Sequence, residues 1–162
     1  MIEVRRATAA DAAELVRLRA VLFDIPEGSD ENGWRRSAAS ILVRRLSAPS
    51  PTMAAFVVDR GSGQLAACAV GIIEERLGGP ANPAGLVGYM LNVATDPADR
   101  RRGYSRACTS ALVDWFRAQG AGVADLRATP TAEPLYSSLG FTRTSDPAMR
   151  LRLPTHPESS PH

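Results

Sequence analysis

A chain of 162 residues with 44% hydrophobic content and two cysteines can bury a core of ordinary size without disulfides or a structural metal, and its length fits one domain. Its formal net charge of +2 is too small for the strongly basic face that nucleic-acid binding requires, and no run approaches the roughly 20 apolar residues of a membrane span. No basic-then-apolar leader opens the chain, and Cys68 and Cys108 lie in apolar runs without metal-ligand spacing, so the expectation is a soluble cytoplasmic protein with reduced, buried thiols.

In chain order, Ile2 to Arg5 alternates like a short strand, and Thr8-Ala9-Ala10-Asp11 reads as a capping box opening a helix with Leu15, Leu18 and Leu22 on one face. Turn residues from Pro26 to Gly33 interrupt it. Trp34, Ala38, Ile41, Leu42 and Arg45 then predict a second helix that stops before Pro49 and Pro51. Met53 to Asp59 and Leu65 to Glu74 are apolar runs joined by Arg60-Gly61-Ser62-Gly63, the pattern of an antiparallel hairpin. Gly78 to Gly85 carries too much glycine and proline for regular structure and is expected to be a mobile loop.

Leu86 to Thr95 predicts the next strand. After it, Ala107, Cys108, Ala111, Leu112, Trp115 and Phe116 mark the buried stripe of a long helix ending at Gly120 or Gly122. Val123 to Arg127 reads as a strand, Thr131 to Leu139 as a short helix with Pro134 in its first turn, and Met149 to Leu153 as a last strand. The domain therefore spans residues 1–153. Residues 154–162 show no periodicity and are expected to be disordered, and the two isolated histidines make no metal site.

Between the strand at 86–95 and the long helix stands Arg100-Arg101-Arg102-Gly103-Tyr104-Ser105-Arg106. The first turn of a helix leaves N–H groups without partners and carries partial positive charge, which attracts phosphate. Gly103 permits a turn and a close approach to the main chain, while Arg100, Arg101, Arg102 and Arg106 add charge-assisted donors. The segment lacks the Gly-Lys-Ser/Thr ending of a Walker loop and the three spaced glycines of a dinucleotide fold. A solvated charge run is the plainer reading of three arginines. The strand, turn and helix around them favour a diphosphate cradle.

This loop resembles the signature of the GNAT superfamily of acyl-coenzyme A-dependent N-acyltransferases: Arg or Gln, two variable residues, Gly, one variable residue, then Gly or Ala. Ser105 occupies the last position, one oxygen larger than alanine. Ala132-Glu133-Pro134-Leu135-Tyr136-Ser137-Ser138-Leu139-Gly140-Phe141 is similar to a second feature of the same family, at the expected separation. By itself this second motif could be the buried face of a short helix. The resemblance covers Ile2 to Leu153 and implies an α/β (α+β) GNAT fold: a mixed sheet of about six to seven strands flanked by about four helices, in the order β-α-α-β-β-β-α-β-α-β.

The resemblance further implies acetyl-CoA as acyl donor and direct attack by a primary amine of a small molecule or peptide, with no metal, nucleic acid or membrane involved. The cofactor contacts it implies are the main chain of Val93, Ala94 and Thr95, the loop Arg100, Arg101, Arg102, Gly103, Tyr104, Ser105 and Arg106, and Thr129, which stands where many members place an asparagine. Tyr136 would be the general acid for the departing thiolate. A phenol of pKa about 10 protonating a thiolate of about 8.5 runs uphill by roughly 2 kcal/mol, a gap that site polarity must close. Glu74, Glu75 and Tyr89 are candidates for the base. Acceptor selection would fall to the first two helices, the 78–85 loop and the last strands. A homodimer is compatible with this reading, and an acyl-CoA-binding module without turnover is the alternative to an enzyme.

Overall fold

The computed structural model describes residues 1–155. Its elements are β1 (Arg5–Arg6), α1 (Ala12–Leu22), α2 (Trp34–Leu46), β2 (Met53–Asp59), β3 (Leu65–Glu75), β4 (Leu86–Thr95), α3 (Tyr104–Ala118), β5 (Val123–Asp125) and α4 (Glu133–Ser138). One sheet runs in the order β1-β2-β3-β4-β5, antiparallel up to β4 and parallel between β4 and β5. α1 and α2 cover one face, where Leu15, Leu18, Met53, Val57, Cys68 and Val70 form a core. On the other face α3 packs Cys108, Leu112 and Phe116 against Ala54, Ala67 and Met90.

Two apolar layers on a sheet need close contact, and glycine supplies it under α3. A Cβ added to Gly71 would lie 2.6 Å from Phe116 Cζ, and one added to Gly88 would lie 2.4 Å from its Cγ. The Phe116 ring, 2% exposed, therefore rests on bare backbone of β3 and β4.

The capping box forms. The Thr8 N–H donates to Asp11 Oδ2 at 2.8 Å, and Arg5 donates to both Asp11 oxygens at 2.9 and 2.8 Å while reaching Asp59 at 2.8 Å. The Arg5 guanidinium holds the Asp11 carboxyl below its ordinary range, with the Thr8 N–H assisting against burial. A carboxyl whose folded pKa is depressed contributes stability that is complete above its unfolded pKa of about 3.9 and is lost as pH falls through the folded value. Asp11→Asn should therefore lower the urea midpoint at pH 7 and flatten its decline below about pH 4, as checked by urea melts across that range.

Several expectations need correction. The sheet has five strands among the described residues, not six to seven. Residues 149–153 pair with no strand among the described residues: Met149, Leu151 and Leu153 are 88%, 83% and 75% exposed. Alternation equips a segment for half-burial but does not provide a neighbouring strand. The outer side of β5 is bordered instead by a 330 Å³ cleft lined by Ala124, Leu126, Phe141, Thr142 and Ala148. The first strand is Arg5–Arg6 rather than Ile2 to Arg5. Leu22 is 42% exposed, because α1 ends there and its last turn overhangs the sheet.

The 78–85 segment is irregular, as expected, but hydrogen-bonded. Gly79 and Asn82 bridge each other, the Arg76 N–H donates to Gly85 O at 2.8 Å, and Asn82 Nδ2 donates to Leu86 O at 3.0 Å. Both thiols are free and buried, and burial pushes each up to about 12. The expected disorder of 154–162 lies mostly outside the described residues.

Candidate active site

The sheet opens in the middle of β4. β5 pairs with Val87, Gly88 and Tyr89, so from Met90 onward β3 is the sole partner of β4 among the described residues. The β3–β4 register also shifts: Val70 faces Asn92 and Gly71 faces Met90, leaving Leu91 as a bulged residue. In the resulting gap a 90 Å³ cavity is bounded by Met90, Leu91, Val93, Thr129 and Tyr136, with Leu22 at its mouth. The free backbone edge of β4 borders this cavity. Val93, Thr129 and Tyr136 thus line one cavity. Ala94 turns its side chain into the core under α1.

Tyr136 is 8% exposed, stacked edge-on against Phe141 at 5.9 Å. Its hydroxyl has no hydrogen-bond partner among the described residues, and burial raises its pKa. The phenol is therefore neutral throughout the physiological range. Thr129 accepts from the Ala132 N–H at 3.2 Å and so shapes the turn leading into α4.

At the end of β4, Asp96 accepts from the Ala98 N–H at 3.0 Å and starts a single 3-10 turn, Pro97–Asp99. Arg101 and Gly103 then both take positive φ, 65° and 78°, and α3 begins at Tyr104. None of the main-chain N–H groups of residues 101–106 donates to an acceptor among the described residues. The first bond is from the Ala107 N–H to Gly103 O at 3.1 Å. Unbonded amides at a helix N-terminus are donors of the kind that receive anions.

The charges around the turn are sorted. Arg17 reaches Asp96 at 2.6 Å and Glu14 at 2.7 Å, while Arg60 pairs with Asp99 and lies 3.3 Å from Asp96. Burial raises the Asp96 carboxyl, yet the Ala98 N–H, Arg17 and Arg60 outweigh it and hold the pKa below its usual value. The two acids beside the loop are thus occupied by arginines from elsewhere. Arg100, Arg101 and Arg102 remain exposed, with no carboxylate partner among the described residues.

The remaining loop residues have local tasks. The Ser105 and Thr95 hydroxyls bond to each other, tying the start of α3 to the end of β4. Arg106 donates to Ser138 Oγ, linking α3 to α4. Tyr104 packs its ring into the core under α3. Glu74 is bound to Arg76 at 2.8 Å, and neither it nor Glu75 nor Tyr89 lines the cavity.

A second cavity, 200 Å³, lies across Leu91 and Asn92 on the α1 and α2 side. Arg19 and Asn92 are the polar residues in it, and sequence reasoning missed both. Asn92 carried a signal, being an amide inside an apolar strand run.

A mixed five-stranded sheet with helices on both faces, splayed at a bulge beside a helix N-terminus, defines a mixed α/β fold. The chain belongs to the GNAT acetyltransferase family, whose model matches residues 19–141. It is similar to a protein of Clostridium acetobutylicum described as a predicted acetyltransferase with acetyl-CoA, at 21% identity and TM-score 0.78 over 94% of this chain and 96% of that one. A GCN5-related N-acetyltransferase from Ralstonia eutropha JMP134 is 25% identical with TM-score 0.77, covering 92% and 97% of the two chains. An aminoglycoside N-acetyltransferase in complex with CoA is 16% identical with TM-score 0.71, covering 93% of each. A comparison with curated proteins returns no match.

Proposed function

We propose that this chain, acting as one domain over residues 1–153, transfers the acetyl group of acetyl-CoA to a primary amine of a small molecule or peptide by direct attack. The observation that carries this reading is the row of unbonded amides at 101–106, bordered by arginines without a carboxylate partner among the described residues and following the strand whose Val93 lines the cavity that holds Tyr136. The residues fit a diphosphate: amides supply close donors, and Arg100, Arg101 and Arg102 supply mobile charge. The free edge of β4 at Val93, Ala94 and Thr95 provides main-chain groups for the pantetheine arm and for the oxyanion.

In the transfer a C–N bond forms and the C–S bond breaks. Tyr136 gives its proton to the departing thiolate. No carboxylate lines either cavity, so the proton of the attacking amine leaves to water. Cys68 and Cys108, buried as free thiols, support action in a reducing compartment such as the cytoplasm.

The test is acetyl-CoA-dependent release of free thiol on addition of a panel of amines. The chain contains no lysine, so side-chain ammonium groups of the protein do not compete as acceptors. Acceptor-dependent release supports the reading, whereas binding without release across the panel selects the non-catalytic carrier module. Gly103→Val should weaken acetyl-CoA binding at least about 10-fold by calorimetry, since a β-branched residue is strained at φ 78° and would distort the turn that carries the amides.

A further inference from the structure

The 200 Å³ cavity between α1, α2 and β4 is apolar except at one end. Leu15, Ile41, Leu42, Met53, Val70 and Leu91 form much of its wall, and Ile41 and Leu91 remain 38% and 39% exposed at its rim. Arg19 closes the polar end. Its guanidinium stacks over Phe23 at 4.7 Å and makes a single long hydrogen bond, to Asn92 Oδ1 at 3.3 Å. Asn92, 5% exposed, is itself fixed by its Nδ2 contact with Cys68 Sγ at 3.5 Å.

Arg19 differs from the other half-buried arginines of α1 and the neighbouring sheet. Arg5, Arg17 and Arg60 each hold two carboxylates. Arg19 has no carboxylate partner among the described residues, although desolvation disfavours its charge. A guanidinium has five N–H donors, and here one is engaged. A partly desolvated cation with free donors, facing an apolar cavity that contains no acid, is complementary to a carboxylate carried on an apolar body.

We propose that Arg19 and the cavity it closes select the acceptor, and that the acceptor is a free α-amino acid with an apolar side chain. The carboxylate pairs with Arg19, the side chain fills the space between Leu42 and Met53, and the amine passes over Leu91 towards Tyr136. Leu91 and Asn92 line both cavities, so the two are neighbours across these residues. This inference rests on the acetyl-transfer reading given above and narrows its acceptor class.

The test uses the whole chain saturated with CoA, titrated calorimetrically with L-leucine, L-phenylalanine and their carboxamides. The acids should bind about 10- to 100-fold more tightly than the amides, the span expected when a charge-assisted pair is lost. Arg19→Gln should abolish that preference with acetyl-CoA affinity unchanged, and Arg19→Lys should restore part of it. In thiol release the effect should fall on KM for the amino acid, with kcat near wild type. L-serine should bind weakly, for want of an apolar side chain.

Equal binding of acid and amide, or an unchanged preference in Arg19→Gln, overturns the inference and leaves the acetyl-transfer reading intact. Failure of the protein to bind CoA at all overturns both. Preserved circular dichroism and acetyl-CoA affinity in Arg19→Gln separate loss of selection from loss of fold.

Discussion

Tyr136→Phe should lower kcat by about 100-fold, at the modest end of general acid catalysis, while acetyl-CoA affinity and the melting temperature stay close to wild type. The expectation follows from the surroundings of the phenol. Its ring is packed against Phe141, so phenylalanine fills the same space, and its hydroxyl bonds to no described residue, so removal strands no partner. Burial raises the phenol pKa, which keeps the proton in place but makes it harder to give up. The same burial also disfavours the departing thiolate, which offsets part of the gap. Because the phenol titrates above its ordinary value of about 10, its own loss of protonation should not limit activity at any pH below that. An unchanged kcat in the phenylalanine variant would remove Tyr136 from the mechanism.

Phe116→Ala should cost about 3–5 kcal/mol in denaturant melts, a large share of the stability of a domain this size. The ring is buried on α3 and sits directly over Gly71 and Gly88, so its loss opens a void on the backbone of two central strands. Gly88→Ala alone should cost about 1–3 kcal/mol, since its Cβ would meet the ring at 2.4 Å. In the double variant the methyl group enters space the ring has vacated. The pair should then be about as stable as Phe116→Ala alone, departing from additivity by at least about 1 kcal/mol. Strict additivity would mean that the ring does not depend on bare backbone at 88. The consequence reaches the site, because Gly88 lies in the short parallel pairing of β4 with β5 from which the sheet splays.

Much of this arrangement is written in local patterns. The capping box at Thr8 and Asp11, the hairpin at 60–63 and the stripe along α3 each depend on residues a few positions apart, and the structure realises all three. The arginine turn was legible for the same reason: strand, glycine and helix follow one another directly. The bulge at Leu91 was not, because it depends on how β3 and β4 pair across a long loop rather than on residue type. The separation of charge was also hidden. Nothing near Asp96 and Asp99 in sequence reveals that Arg17 and Arg60 neutralise them and so leave Arg100 to Arg102 free. Arg19 reads in sequence as one more polar residue beside an apolar helical stripe. Its meaning comes from Asn92 and from the cavity that α2 closes over it. Met149 to Leu153 failed in the opposite sense, alternating correctly with no strand to receive it.

The central claim is that the amides of 101–106 and the arginines beside them grip a diphosphate. Calorimetric titration with acetyl-CoA and with S-acetylpantetheine, which carries the same thioester without the diphosphate and the 3′-phosphoadenosine beyond it, tests it, with S-acetyldephospho-CoA as the control that keeps the diphosphate and lacks the 3′-phosphate. The account predicts that acetyl-CoA binds at least about 100-fold more tightly at low salt, as loss of one or two charge-assisted contacts requires, and that added salt narrows the difference. Equal affinities for acetyl-CoA and S-acetylpantetheine would contradict it.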